Sequence, residues 1–542
     1  MPTDLRTPID DYLERQQDLS AVDRFAAHHD RDTGPLQERW YRQLLPAAPP
    51  GPGQQYRFEV DMDRCTSCKS CVSACHSLNG LDAGESWRSA GVVVGVGWSG
   101  PTQQTVTTAC HHCVDPACLA GCPVDAYEKD PITGIVRHLD DQCIGCSYCT
   151  WTCPYEVPRF NERLGIVRKC DMCSDRLAVG EAPACVQACP TGAIAIGVVD
   201  VAELVAGTDA SSSLVPGAPS SALTVPTTRY HRADALPDTA TAADDWSEAP
   251  AHAHLPLVAM LVLTQLSVGT FVAVAALAAL APGLPDRVLE VGALAAAGAG
   301  LLAIGASVGH LGRPLQAWRA VLGIGHSWLS REIAAFGLFA PAAVAAAAAR
   351  LAEPRSPLAH ALGAGVSVVG VGAVACSAMI YAVTGRRAWR LDRTATAFTA
   401  TASTCGLSTA AVVLLAPPQP ATGSGALQVV SLLLAVTTAA VLGIEGRPLL
   451  AGHAGDPVLD RTVRLLRGPL APTVRARIAL LASGGVAVPL LLVALLAEPH
   501  PPVAAMRALS VVGLVLVVRG ELAGRTLFFR SMTSPRMPGI PR

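Results

Sequence analysis

Residues 143–161 read CIGCSYCTWTCPYEVPRFN, and this stretch decides the fold of the first half of the chain. Its four cysteines follow the spacing C-x2-C-x2-C-x3-C-P. A cubane iron–sulfur cluster has four irons that each need one thiolate, and a tight loop presents three thiolates to three corners of one cluster. The fourth ligand then comes from elsewhere, as in bacterial two-cluster ferredoxins. The stretch therefore predicts a domain with more than one iron–sulfur cluster.

Three more cysteine groups of similar spacing surround this one, and together they hold sixteen of the eighteen cysteines. Structural zinc and disulfides are the alternatives, because paired C-x2-C spacing also suits tetrahedral zinc. Zinc sites do not require a third cysteine two residues on, nor the trailing C-x3-C-P, so iron–sulfur ligation is favoured. The sixteen candidate ligands are Cys65, Cys68, Cys71, Cys75, Cys110, Cys113, Cys118, Cys122, Cys143, Cys146, Cys149, Cys153, Cys170, Cys173, Cys185 and Cys189.

The composition divides the chain into two parts that suit different solvents. Only 15% of the 542 residues are charged, against about 25% in a typical soluble protein. The first 250 residues are charged and cysteine-rich, whereas the remainder consists of Ala, Val, Leu and Gly runs with arginine-rich breaks. The net charge of −2 and the lack of a basic block give no sign of a nucleic-acid partner.

Eight apolar runs after residue 254 each approach the ~20 residues that a membrane-spanning helix needs. The predicted spans are about 255–281, 288–309, 328–349, 359–384, 394–416, 425–446, 477–497 and 503–524. The first and fifth loops nearly lack arginine, whereas the even-numbered loops and the C-terminal tail carry it. The positive-inside rule places these loops and both termini on the cytoplasmic side of the cytoplasmic (inner) membrane.

The N-terminal 30 residues agree with this orientation, since they contain no apolar signal region and no twin-arginine pair. Cytoplasmic thiols stay reduced, which again favours metal ligation over disulfides. Export together with a partner that carries its own signal is the alternative.

His310 and Glu332 are the two candidate catalytic residues of the membrane half. They flank the second loop, on the side of the membrane where the cluster domain is expected. Quinol oxidation releases two protons and two electrons, so it needs a proton-accepting group near the first electron acceptor. The alternative is that both residues only lie at the wet headgroup boundary. Haem is not expected, because the histidines of this half all lie at span ends and no pair faces across the bundle: His310, His326, His360, His453 and His500.

The cysteine motifs, with KCDMCSDRLAVGEAPACVQACPTGAIAIG at residues 169–197, resemble the four-cluster iron–sulfur subunit of the dimethyl sulfoxide reductase family. This resemblance covers about residues 56–197. It implies four [4Fe–4S] clusters, with the first cysteine group paired with the fourth and the second with the third. One cluster would then take Cys65, Cys68, Cys71 and Cys189, and another Cys170, Cys173, Cys185 and Cys75. The remaining two would take Cys110, Cys113, Cys118 and Cys153, and Cys143, Cys146, Cys149 and Cys122.

The membrane half resembles the anchor subunit of the same family in HLGRPLQA (310–317), SWLSREI (327–333), SAMIY (377–381) and GELAGRTLFF (520–529). This resemblance covers about residues 255–531 and implies eight helices with a menaquinol site and no haem. It assigns His310 and Glu332 to the quinol, with Gly312 and Pro314 completing the first element of the site.

Together these features predict an α+β tandem ferredoxin-like domain with four [4Fe–4S] clusters, joined to an all-α bundle of eight transmembrane helices. The predicted divisions are a docking segment (1–54), the cluster domain (55–199), an Ala/Ser/Pro/Thr-rich linker (200–254), the membrane anchor (255–531) and a cytoplasmic tail (532–542). An amphipathic helix is expected at about Ile9 to His28.

The predicted function is electron transfer and membrane anchoring, between membrane quinol and a molybdopterin catalytic subunit on a separate chain. The chain would itself be a non-catalytic component of an oxidoreductase. One alternative is a module of a redox-driven ion pump, although such a pump needs buried carboxylates across the bundle and Glu332, Glu521 and Glu290 are isolated. Another is a membrane-tethered redox sensor or scaffold without quinone chemistry.

Overall fold

The computed structural model describes residues 7–17, 20, 23–24, 26–27, 31, 38–97, 100–245, 249–416, 425–451 and 456–540. The predicted N-terminal helix begins as expected, at Pro8–Gln17. Thr7 and Asp10 cap its start, since the backbone N–H of each lies within hydrogen-bond distance of the other's side chain. The predicted end at His28 lies outside the described residues.

The cluster domain is built from short strands and short helices around its cysteine loops. Strand β1 lies between β8, which is antiparallel to it, and β9, which is parallel to it. Its alternate residues Phe58 and Val60 are buried with Ile194 and Ile196 of β8. The strands are β1 Gln54–Asp61, β2 Ser89–Gly97, β3 Gly100–Thr108, β4 Tyr127–Lys129, β5 Val136–His138, β6 Arg159–Asn161, β7 Ile166–Arg168, β8 Ile194–Asp200, β9 Arg229–His231 and β10 Thr241–Ala242.

The helices of this domain are only one or two turns long, which suits loops that must return quickly to a cluster. They are Glu38–Tyr41, Ser70–Leu78, Ala117–Gly121, Tyr148–Thr152, Ser174–Ala178, Ala184–Gln187 and Val201–Ala206, with 3₁₀ turns at Arg42–Leu44 and Ser221–Leu223.

Two segments assigned by composition to a linker and a tail are part of the cluster domain. Strands β9 and β10 lie within residues 200–254 and extend the sheets of β1 and β2. From the predicted tail, Met537 and Ile540 are buried in the same core as Phe58. The linker and tail expectations therefore need correction. Strands of three and two residues, and two scattered apolar side chains, are too short to be recognised from composition.

In the part of the chain that the structure describes, eight helices are long and apolar enough to cross a membrane, in agreement with the number predicted. Membrane helices 1 to 8 are Leu255–Leu280, Asp286–Val308, Trp328–Ala352, Pro357–Ala382, Leu391–Leu414, Ala426–Arg447, Ala471–Leu496 and Val503–Arg530. Helix 7 contains a π-helical turn at Ala482–Ala487, and an additional amphipathic helix, Pro457–Arg467, precedes it.

Membrane helix 1 lies at the centre of the bundle and packs on helices 2, 4, 5 and 8. Its Gly269 faces Gly406 of helix 5, where a Cβ on Gly269 would lie 1.9 Å from the carbonyl oxygen of Ala402. Small residues of this kind let helix backbones approach closely where no hydrophobic effect drives them together.

The cluster domain is bound directly to one end of the bundle. A 3₁₀ segment, Pro314–Gly325, connects membrane helices 2 and 3 on that face. The backbone N–H of Gly323 donates to the carbonyl oxygen of Pro123 at 3.0 Å, and Ser327 Oγ donates to that of Gly121 at 2.7 Å. The loop that contains His310 and the start of the helix that contains Glu332 therefore lie on the same face as the cluster domain.

Candidate functional site

The sixteen clustered cysteines converge as four quartets, each drawn from two distant groups of the sequence. The first quartet, Cys65, Cys68, Cys71 and Cys189, lines one cavity. The third quartet, Cys110, Cys113, Cys118 and Cys153, lines another. In the second, the charge of Cys75 interacts with those of Cys173 and Cys185, and Cys170 interacts with Cys75. In the fourth, Cys146 and Cys149 interact with Cys122 and Cys143.

Left-handed backbone conformations shape the cysteine loops. Lys69 has a φ of 60°, Ser147 of 56° and Met172 of 60°. Each precedes or follows a ligand position and turns the chain around the quartet's centre. Such conformations cost of order 1 kcal/mol or more for residues other than glycine, and they cluster at functional sites.

Backbone N–H groups point at the sulfur atoms of these loops. The N–H of Ala126 lies 3.3 Å from Cys122 Sγ, and that of Ala193 lies 3.2 Å from Cys189 Sγ. All eighteen cysteines are free thiols, with no disulfide between them. Within the described residues no three His, Cys, Asp or Glu side chains form a site for a single metal ion. Four thiols around a central space, with N–H groups aimed at sulfur, fit a cubane cluster better than one zinc ion.

Burial makes several of these thiols poor acids until a metal binds them. It raises the pKa of Cys75 to about 12, with the charge of Cys185 the next cause, and that of Cys122 to about 11. Burial is the largest single influence on the pKa of Cys143 and raises it, but the hydrogen bond and charge of His138 and the backbone hydrogen bonds of Val167 and Gly145 together lower that pKa below its ordinary value. Thiols must lose their protons to ligate iron, so cluster assembly in this domain is coupled to proton release.

A cavity of about 330 Å³ lies at the junction of the cluster domain and the bundle. This volume falls within the range of small-molecule sites. His310 and Glu332 both line it, although no hydrogen bond joins them. Cys146 of the fourth quartet lines the same cavity, so a ligand there would contact a cluster-ligating residue.

His310 follows the C-terminal end of membrane helix 2 and presents an unpartnered nitrogen. Its Nδ1 atom is buried and has no hydrogen-bond partner among the described residues. Burial lowers the pKa of His310 from its ordinary value near 6.5. The side chain is therefore a neutral imidazole at pH 7 and can accept either a hydrogen bond or a proton.

Glu332 lies one turn into membrane helix 3 and is only 5% exposed. Ser377 of membrane helix 4 donates a hydrogen bond to its Oε1 atom. Across the described part of the chain no lysine, arginine or histidine forms an ion pair with it. A buried carboxyl without a cation is costly, and such groups in membrane segments are candidates for function.

Gly312 and Pro314 lie beside this cavity without lining it. The backbone of Gly312 lies against the cluster domain, where an added Cβ would be 2.1 Å from the carbonyl oxygen of Gly165. The N–H of the next residue, Arg313, donates to the carbonyl oxygen of Ile144 at 3.0 Å. Gly312 and Arg313 therefore hold the His310 loop onto the cluster domain.

Sequence reasoning did not single out two residues of the cluster domain that line the cavity, Tyr148 and Trp151. The Tyr148 hydroxyl donates to the carbonyl oxygen of Ile380, in membrane helix 4, at 2.7 Å. The Trp151 ring stacks on Phe529, in membrane helix 8, with 5.6 Å between centroids. Both stand inside the quoted stretch at 143–161, but their role depends on contacts between domains.

A larger cavity, of about 470 Å³, lies among membrane helices 5 to 8. Glu521 and Arg525 line it, and Glu521 accepts hydrogen bonds from Thr401 at 2.7 Å and Thr404 at 3.2 Å. No cluster cysteine lines this cavity. The smaller cavity is therefore the better candidate for chemistry that involves the clusters.

Comparison with known proteins agrees with this arrangement. Residues 250–530 match the family model described as "DMSO reductase anchor subunit (DmsC)", and residues 102–199 match that of a 4Fe-4S dicluster domain. The B subunit of anaerobic dimethyl sulfoxide reductase from Escherichia coli K12 is 41% identical over 154 residues, which cover 27% of this chain and 75% of that protein. The thiosulfate reductase electron transfer subunit of Salmonella typhi is 38% identical over 159 residues, or 28% and 79%.

The two matches fall on the two halves that the structure separates, the thiol quartets and the eight apolar helices. The chain is accordingly a multi-pass membrane protein with iron–sulfur clusters, in which an electron-transfer region and an anchor region are fused. It belongs to the dimethyl sulfoxide reductase anchor subunit family.

Proposed function

We propose that this chain oxidises membrane quinol and passes the electrons through four [4Fe–4S] clusters to a molybdopterin catalytic subunit on a separate chain. Electron transfer and anchoring for an oxidoreductase follow from the family and from the relatives, of which one is a dimethyl sulfoxide reductase subunit and one an electron transfer subunit. The observation that carries the quinol step is the cavity shared by His310, Glu332 and Cys146.

The quartets supply the ligands of the four proposed clusters, which each carry one electron at a time. The fourth quartet is the one adjacent to the quinol cavity, through Cys146. Cys110 of the third quartet and Cys170 of the second are close enough for their charges to interact. Lys169 lines the cavity of the third quartet, and its amine donates a hydrogen bond to the carbonyl oxygen of Cys170, in the second quartet, at 2.9 Å. The third and second quartets are therefore adjacent, which supports electron transfer between their two proposed clusters.

His310 and Glu332 are the proposed proton acceptors for quinol. A neutral imidazole with a free buried nitrogen accepts a hydrogen bond from one quinol hydroxyl. The carboxyl of Glu332, held by Ser377, is available to the other proton. Apolar side chains of membrane helices 1 to 3, such as Leu257, complete the cavity and would contact an isoprenoid tail.

The proposed orientation places the cluster domain and both termini in the cytoplasm, at the cytoplasmic membrane. The arginine-rich loops and the cluster domain lie on one face of the bundle, as the contacts of Arg313 and Arg386 with the cluster domain illustrate. This agreement between loop charge and domain placement supports the assignment. Haem has no proposed role in this path.

A redox-driven ion pump is not favoured. The two relatives described above are reductase subunits. Among the described residues the carboxylates of the bundle do not form a chain across it, since Glu332 is bonded to Ser377 whereas Glu521 lies 3.7 Å from Arg477.

The experiment is reduction of the clusters in isolated membranes by a menaquinol analogue, followed by electron paramagnetic resonance (EPR). Four reducible cubane signals that appear on quinol addition are expected. Membranes that contain the loaded chain but show no reduction by quinol, while dithionite reduces all four clusters, would refute the quinol step.

A further inference from the structure

Arg88 is a buried arginine immediately before strand β2, in the middle of the cluster domain. It is 2% exposed. Its guanidinium carbon lies 4.6 Å from the centroid of the Phe58 ring, and Nη1 donates to Thr107 Oγ1 at 3.3 Å. The other two nitrogens, Nε and Nη2, are buried without a hydrogen-bond partner among the described residues.

No carboxylate neutralises this guanidinium in the part of the chain that the structure describes. The buried carboxylate three residues upstream, Glu85, is bonded to Arg168 at 3.3 Å, to Asn161 at 3.0 Å and to Trp87 at 2.8 Å. Arginine keeps its proton in proteins, and an isolated charge in the interior carries a large desolvation cost. Another source of negative charge must therefore face Arg88.

The cysteines of two quartets are that source. Arg88 interacts electrostatically with Cys185, Cys71, Cys170 and Cys75, in decreasing order. Cys71 belongs to the first quartet and the other three to the second. Hydrogen bonding also links Arg88 to the first quartet, since the Thr107 hydroxyl that accepts from Arg88 lies 3.7 Å from Cys71 Sγ, and to the second quartet, since Arg88 hydrogen-bonds to the thiol of Cys185.

We infer that Arg88 is the shared counter-charge of the clusters in the first and second quartets, and that it raises the midpoint potentials of both. This inference rests on the proposed function, which places a cluster in each quartet. Uptake of one electron lowers the charge of a [4Fe–4S] core by one, and four thiolates already make the whole group anionic. A fixed positive charge stabilises the more anionic, reduced form, so it shifts the potential upward.

Arg88 thus acts on electron flow through the potentials of two clusters, and it does not line the quinol cavity. Its charge cannot be titrated away within the range that the protein tolerates. The third and fourth quartets are not among its main electrostatic partners. They therefore provide an internal reference within the same molecule.

The test is an EPR-monitored redox titration of the full chain in membranes, comparing Arg88→Met and Arg88→Lys with the unmodified protein. At a fixed ambient potential, Arg88→Met is expected to lower the reduced-to-oxidised ratio of the first and second clusters about tenfold, which equals about 59 mV for a one-electron couple. Arg88→Lys is expected to restore most of this ratio. The third and fourth clusters should change little.

Arg57→Met is the matched control, because Arg57 is a cluster-domain arginine that already pairs with Glu59 at 2.6 Å. It should leave all four potentials unchanged. Unchanged potentials in a fully loaded Arg88→Met chain would overturn the inference, and so would an equal shift of all four clusters. If Arg88→Met fails to load its clusters, Arg88→Gln, which removes the charge but keeps hydrogen-bond donors, decides the question. A lowered potential of the first and second clusters would support the inference, and unaltered potentials would overturn it.

Failure of the proposed function gives a different result in the same samples. Fewer than four cubane signals in the unmodified chain would contradict the four-cluster proposal itself, irrespective of what the Arg88 variants do.

Discussion

At the scale of single residues, the central feature is that each thiol quartet combines cysteines from two distant groups. Cys75 and Cys71 are four positions apart in one short helix, yet they face different quartets. The two side chains lie on the same face of the helix but one turn apart along its axis, so neighbours in sequence become ligands of different clusters. Spacing alone predicted that the fourth ligand comes from elsewhere, whereas the pairing of the groups followed from the family resemblance.

The pairing predicts that two substitutions close in structure damage different clusters. Cys189→Ser should impair the first cluster, because Cys189 lines the cavity of Cys65, Cys68 and Cys71. Cys75→Ser should impair the second cluster and leave the first intact. EPR spectra of the two variants, compared signal by signal, provide the measurement. Cys71→Ser, in the same sequence group as Cys75, should remove the signal that Cys189→Ser removes. If Cys71→Ser instead removes the signal that Cys75→Ser removes, the crossed pairing is contradicted.

His310 leads to a prediction about pH. Since burial lowers its pKa, the neutral, proton-accepting form persists to lower pH than for an ordinary histidine. Quinol-driven cluster reduction should therefore show no decline as pH falls through 6.5 and should decline only at more acidic pH. Stopped-flow reduction rates between about pH 5 and pH 8 check this. A rate that halves near pH 6.5 would contradict a buried, neutral His310.

Substitution of the same residue gives a second test at this scale. His310→Gln should slow quinol-driven reduction at least about 100-fold, a typical contribution of general base catalysis, while dithionite still reduces every cluster. His360→Gln is the matched control, since His360 lies at the opposite end of the bundle, at the start of membrane helix 4. Equal rates in the two variants would remove His310 from the mechanism.

At the scale of elements, the short helix Tyr148–Thr152 connects the two halves of the molecule. Arg386, from the loop after membrane helix 4, donates to the carbonyl oxygen of Trp151 at 3.2 Å and pairs with Glu156 at 3.1 Å. The side chain of Arg386 is 4% exposed. This buried ion pair holds the helix that contributes Tyr148 and Trp151 to the quinol cavity.

Removal of the ion pair between Arg386 and Glu156 should loosen the contact between the cluster domain and the membrane bundle. Arg386→Gln leaves Glu156 without its partner, and breaking a buried ion pair costs roughly 3 kcal/mol. Hydrogen exchange of residues 148–152 should become faster, and the affinity for a quinol analogue should fall. Arg387→Gln is a neighbouring control, because Arg387 pairs with Asp456 at the surface, where its side chain is 57% exposed. Unchanged exchange in Arg386→Gln would mean that other contacts determine the junction.

The membrane helices could be predicted from the sequence, whereas two short strands of the cluster domain could not. The apolar runs marked the eight membrane helices of the described residues, with the largest errors, six residues each, at the start of helix 7 (Ala471, where 477 was predicted) and at the end of helix 8 (Arg530, where 524 was predicted). Arg475 and Arg477 break the apolar run at the start of helix 7, although the helix continues through them. Strands β9 and β10 were missed because they gain their stability from pairing with β1 and β2, which no local pattern records.

The candidate site was predictable in part for a similar reason. His310 and Glu332 stood out as ionisable groups beside an apolar bundle, and they line one cavity. Tyr148 and Trp151 could not be connected with that cavity from sequence, since they reach it only through docking of the cluster domain on the bundle. Gly312 was assigned to the quinol by resemblance, but its close approach to Gly165 is a contact between domains.

At the scale of the whole molecule, the fusion places the cluster domain and the quinol cavity on one face. The orientation of that face is a separate prediction. Green fluorescent protein fused after residue 542 should fluoresce, because the C-terminus is expected in the cytoplasm. Alkaline phosphatase inserted in the first loop, near Gly283, should be active on the other side. The reverse pair of results would contradict the orientation and leave the fold unaffected.

The most direct measurement of the central claim is single-turnover reduction of the clusters by a menaquinol analogue in membranes that contain this chain without its catalytic partner. Electrons should enter the clusters with a stoichiometry of two per quinol oxidised, and a double substitution, His310→Gln with Glu332→Gln, should abolish the reaction while dithionite reduction remains complete. Quinol oxidation that persists at the full rate in the double variant would contradict the assignment of the cavity between Cys146 and His310 as the point where electrons enter the protein.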